Sequence, residues 1–173
     1  MSELSLIIHV LAATILVGPQ VLMFFAVAPS SWAIEDDDLR TFVVRVIARR
    51  FATLTVIALV ALVATGLYQF YQDEVVPPDI RENMADYRFG LIFMVKMTLL
   101  VVLIGMIGFH AVVLARRMAA VTEGVKSGVL ERWELDRVRR NSMLFSGLMI
   151  LVSIAILALG VLLAFGPYAD VPR

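Results

Sequence analysis

Three ionisable side chains lie inside long apolar runs of this chain: His9, Lys96 and His110. An ionisable group in a lipid-facing segment is costly, so each marks a candidate site by default. A neutral imidazole can ligate a metal ion or a haem iron. An amine can salt-bridge an anionic group, or snorkel outward to the lipid headgroups. No acid lies within the same runs, which leaves a carboxylate proton relay without support. There is no paired-carboxylate site, no Ser-His-Asp set, no His-Glu-x-x-His and no glycine-rich phosphate loop. Nothing in these residues points to an enzyme.

The elements that must position the three groups follow from composition. Of 173 residues, 61% are hydrophobic and 17% charged, and mean hydropathy is +0.90. That balance belongs to an integral membrane protein and not to a water-soluble domain. The 15 basic and 15 acidic residues cancel, so nothing favours nucleic acid as a partner. The chain has no cysteine, which removes disulfides, thiolate metal sites and c-type haem attachment together.

Four apolar runs reach the roughly 20 residues that a bilayer crossing requires: about 6–28, 51–71, 89–115 and 143–165. Helices satisfy their own backbone hydrogen bonds in lipid. The expected fold is therefore all-α, a single domain over 1–173, arranged as an antiparallel four-helix bundle. Ala26-Val27-Ala28 has the small residues of a signal-peptide cleavage site, but Pro29 follows at once and the run is long, so a retained span is expected.

Basic residues set the orientation. The first loop carries Arg40, Arg45, Arg49 and Arg50, and the third carries Arg116, Arg117, Lys126, Arg132, Arg137, Arg139 and Arg140. The middle loop has Arg81 and Arg88 against five acids. Both termini are thus expected outside and the first and third loops in the cytoplasm, in a bacterial-type inner membrane. Acids at 35–38, then Leu39, Phe42, Val43, Val46 and Ile47 at helical spacing, predict a short interfacial helix before span two. In the middle loop, Pro77 and Pro78 forbid a continuous helix and predict a rigid turn.

Depth and face separate the polar groups. His9 lies near the outer start of span one, and Lys96 lies about 10 Å below the outer start of span three. His110 is fourteen residues further on, about 21 Å along the same helix and within about 40° of the same face. His9 and Lys96 can share a level in the outer half, whereas His110 belongs to the inner half. Thr65, Tyr68 and Gln72 share a face of span two, with Gln69 about 100° from Tyr68 and set aside. The expected outer-half pocket is His9, Lys96, Tyr68 and Gln72, with His9 a possible metal ligand and His110 a weak one. The competing readings are snorkelling for Lys96, an interfacial role for His9 and a helix–helix hydrogen bond for His110. The nine methionines read as core or lipid contacts. Ser146, Ser153 and Gly160, at seven-residue spacing, read as a small-residue packing seam.

Three stretches carry a resemblance: "HVLAATILVG" in span one, "ARRFATLTVIALVALVATGLYQ" in span two, and "FGLIFMVKMTLLVVLIGMIGFHAVVLARR" in span three. Together they resemble the CopD-type membrane domain, named for copper resistance. His9, Arg49, Arg50, Phe51, Thr65, Gly66 and Lys96 fall on positions of its pattern. Leu16, where that family has tryptophan, and Pro19, where it has a second glycine, depart from it. The chain is also similar to HemJ-type protoporphyrinogen oxidases, four-helix proteins linked to haem b. The first resemblance implies copper or metal handling, with His9 as an outer ligand. The second implies haem b on His9, with Lys96 near a propionate. A third reading is a non-enzymatic accessory subunit of a larger membrane complex. Expected partners are membrane lipids, with further membrane subunits or a homo-oligomer.

Overall fold

The computed structural model describes residues 2–164, so Phe165, the expected last residue of span four, lies outside the described residues. The chain is helical, with no strand among the described residues. The elements are α1 (Ser2–Leu22), which runs through a π-helical turn (Met23–Val27) into α2 (Ala28–Ser31); α3 (Asp37–Phe70); and α4 (Pro78–Glu82). Then follow α5 (Arg88–Phe109), which runs through a second π-helical turn (His110–Leu114) into α6 (Ala115–Lys126), and α7 (Arg132–Ala164). Four continuous helical stretches, Glu3–Ser31, Asp38–Phe70, Arg88–Lys126 and Arg132–Ala164, are long and apolar enough to cross a membrane.

These helices outrun their apolar segments. α3 has 34 residues, about 51 Å of helix against about 30 Å of bilayer hydrocarbon. The amphipathic segment expected before span two is helical, and it continues into that span without a break. Asp36 caps its start, accepting from the backbone N–H of Asp38 at 2.8 Å and of Leu39 at 3.0 Å. Arg88–Lys126 likewise extends past the apolar run and stops at Gly128, whose φ of 74° is left-handed. Beyond it, the N–H groups of Val129 and Leu130 donate to the Gly124 carbonyl at 2.9 Å, satisfying an end that α6 would otherwise leave open.

Contacts divide the chain into two compact units. The first runs to Met94 and resumes at Leu157, and the second is Val95–Ile156. In the first unit α1 and α3 pack closely along their length. At the end of the pair away from Ser5, an open pocket of about 240 Å³ is lined by Val27, Ser30, Val44 and Ile47, among others. At the other end Val76, Ile80 and Phe89 form a buried cluster joined by Phe70, Phe93 and Leu163. Phe93 stacks on Phe70 and on Phe89 at centroid distances of 5.1 and 5.8 Å. Arg81 ties the turn down, with its guanidinium 3.0 Å from Asp73 Oδ1. The turn expected from Pro77 and Pro78 is present, and Pro78 opens the short α4.

The second unit is a helical hairpin. Phe109 faces Phe145 at 5.5 Å, and Leu130 packs over Gly124, so α5–α6 and α7 run antiparallel in one register. Leu103 and Ser153 are its most deeply buried side chains. Ser153, read from spacing as part of a packing seam, is 1% exposed and donates its hydroxyl to the Met149 carbonyl. Across both units large apolar side chains face outward on every long helix, as helices solvated by lipid tails do.

Candidate functional site

The best-defined polar site lies between α1 and α3. Ser5, Ala12 and Leu16 are buried, and His9 is half-buried on the stripe that they form at steps of four, three and four residues. Small residues let the two backbones approach: Ala12 on α1, and Ala58 and Gly66 on α3. Gln69 Nε2 donates to Ser5 Oγ at 3.4 Å, and one turn further in His9 Nδ1 and Thr65 Oγ1 share a hydrogen bond of 2.8 Å. Four residues along α1 match four back along α3, which is antiparallel packing in register. The same register sets Ala12 against Leu62 and Leu16 against Ala58.

The His9 ring is held on two sides. Its Nδ1 meets Thr65, and its Cε1 lies so near Gly66 that a Cβ there would sit 3.3 Å away. Thr65 is held in turn: its hydroxyl donates to the Ala61 carbonyl at 2.6 Å, with Leu62 O at 3.3 Å. A spanning helix pair thus presents one imidazole whose orientation is set by a neighbouring hydroxyl.

The other expected residues are placed as follows. Tyr68 is 39% exposed on α3, next to the His9-facing stripe. Gln72 lies half-buried just past the end of α3, in the turn that carries the Val76 backbone bond. Gln69, set aside on angular grounds, is the residue that reaches α1. Its signal was its place four residues after Thr65, matched by Ser5 four residues before His9. Lys96 belongs to the second unit, half-buried on α5, and among the described residues no hydrogen bond or ion pair reaches it.

His110 opens the π-helical turn of the third long helix. Its Nε2 lies 3.4 Å from Ser142 Oγ and 3.3 Å from Ser146 Oγ, both on α7, while Ser146 donates to the Ser142 carbonyl at 3.0 Å. The ring stacks on Phe145 at 6.1 Å and 14°. This is the helix–helix hydrogen-bonding arrangement that competes with metal ligation in the sequence. Its bonds are at the long end of the useful range.

Comparison with known protein families, curated proteins and solved structures finds no match. Among the described residues no group of three or more His, Cys, Asp or Glu is gathered to hold a metal. The donor set around His9 suits a single imidazole contact to a metal ion or haem iron, not a closed four-ligand structural site. One nitrogen oriented by a hydrogen bond on the other is the arrangement that ligating histidines use.

Proposed function

We propose that the chain is a CopD-like integral membrane protein that handles copper, or another metal ion, at or across the membrane. Copper is here the cargo, and His9 is the residue that meets it. The observation that supports this reading is the imidazole placed within a spanning helix pair and oriented through Nδ1 by Thr65. A single nitrogen donor gives a weak, exchangeable contact, which suits an ion in transit better than one in storage. The orientation that goes with this reading puts both termini outside and the basic loops in the cytoplasm of a bacterial-type inner membrane.

The test is purification in detergent, followed by metal analysis and an absorption spectrum, on wild type and His9→Ala. On titration with added Cu(I), saturable binding of about one copper per chain, lost in His9→Ala, is expected. A Soret band lost in His9→Ala would replace this reading with haem b binding. Neither copper nor haem, with stoichiometric membrane subunits co-purifying, would replace it with an accessory role in a larger complex.

A further inference from the structure

The polar end of the second unit's hairpin segregates its charge. Phe109 faces Phe145 and Leu130 packs over Gly124, and the same register sets Arg117 of α6 against Arg137 of α7. Each arginine stands one residue before an inward position: Met118, half-buried on α6, and Val138, buried on α7. One residue is a turn of about 100°, and on antiparallel helices the same offset turns both side chains to the same flank. Arg140, three residues after Arg137, neighbours it on the helix surface. All three arginines are exposed, and among the described residues no hydrogen bond or ion pair reaches their side chains. The acids of this end lie further from the apolar segments. Glu123, Glu131 and Glu134 are toward the tip, and Asp136 is engaged by Arg139 at 3.8 Å.

Depth says what such a cluster meets. Arg117 is about 3 Å of helix past the apolar run 89–115, while Arg140 and Arg137 are about 4.5 and 9 Å before the run 143–165. The polar layer on each side of the hydrocarbon is about 5–8 Å thick, and an arginine stem lies along the helix surface while its head stays in that layer. The three guanidiniums therefore stand at the level of lipid headgroups. Packed helix axes are about 8–10 Å apart, so Arg117 and Arg137 close on one group from two helices. A guanidinium offers paired N–H donors that match phosphate oxygens. We infer that Arg117, Arg137 and Arg140 form a site for the phosphate of one anionic phospholipid at the polar end of this hairpin. Arg116 is the contrast within the same helix: it is equally exposed and unpaired, yet it points about 160° from Met118, away from α7. The site follows from the membrane-spanning hairpin and is independent of copper and of which side the loops face.

Native mass spectrometry of the full-length protein in detergent, titrated with phosphatidylglycerol or with phosphatidylcholine, counts bound lipids and gives the affinity of the first. The first phosphatidylglycerol is expected to bind about tenfold more tightly than the first phosphatidylcholine. Arg117→Gln and Arg137→Gln should each weaken it by about fivefold, the effect of one arginine near an anionic headgroup, and together should bring the two lipids to parity. Arg116→Gln should leave the preference unchanged. No preference for phosphatidylglycerol in wild type overturns the inference, and a protein that co-purifies with wild type but not with Arg137→Gln would then make the face a protein-docking surface. An equal loss in Arg116→Gln also overturns it, because diffuse positive charge would account for the binding. Inorganic phosphate that displaces the lipid, at an ionic strength where chloride does not, overturns a lipid occupant in favour of free phosphate.

Discussion

His9 Nδ1 and Thr65 Oγ1 meet at 2.8 Å across the α1–α3 interface, one turn inward of the Ser5–Gln69 contact. Two hydrogen bonds in matched register make this interface more than apolar packing. The second of them engages the His9 ring through Nδ1.

At Gly66 the helix pair has little room to spare. A methyl group there would lie 3.3 Å from His9 Cε1, so the ring must yield by a few tenths of an ångström. Gly66→Ala is expected to alter the His9 imidazole signals with a small change in stability. Gly66→Leu is expected to force the helices apart at a cost of about 1–3 kcal/mol. Thermal unfolding in detergent reads the difference, and equal melting temperatures for wild type and the leucine variant would contradict this packing.

Gly90 and Gly105 should behave oppositely despite both lying in α5. A Cβ at Gly90 would fall directly on the Met84 carbonyl, whereas one at Gly105 meets nothing within 4 Å. Gly90→Ala is expected to loosen the 84–90 connection, seen as faster amide exchange and proteolysis there. Gly105→Ala is expected to be neutral or to stabilise by up to about 1 kcal/mol, since alanine is the better helix former. Similar exchange profiles for the two variants would refute the Met84 contact.

His110 should matter for packing more than for chemistry. Its bonds to Ser142 and Ser146 are long, so Ser146→Ala is expected to cost about 0.6 kcal/mol, the average for a hydrogen bond between membrane helices. His110→Ala, which also removes the stack on Phe145, should cost more. Neither should abolish the metal signal that His9→Ala removes. Metal analysis of the purified variants decides it, and loss of bound copper in His110→Ala alone would move the site to the second unit.

Orientation is testable with single cysteines, because the native chain has none. With both termini outside, Glu74→Cys in the middle loop reacts with a membrane-impermeant maleimide on intact cells. Val129→Cys, in the 77% exposed turn after α6, reacts only after permeabilisation. The reverse pattern would invert the topology.

Much of this protein is determined by local sequence. Four apolar runs of bilayer length can only be helices in lipid, and two adjacent prolines can only break one. His9 and Thr65 stand out because a polar side chain within an apolar run must find a partner. What local sequence left open is which residue that partner is. Angular arithmetic on α3 favours Tyr68 and Gln72 as companions of Thr65, yet the residue that reaches α1 is Gln69, and Tyr68 points outward. The choice depends on the close approach of α1 and α3 at Ala12, Ala58 and Gly66, a non-local property that no single helix encodes. Helix ends were similarly hidden. Apolarity marks where lipid begins, whereas helical hydrogen bonding continues until a cap such as Asp36 or a left-handed Gly128 stops it. The His9–Thr65 contact lies furthest from the sequence, because it exists only once the helices have packed.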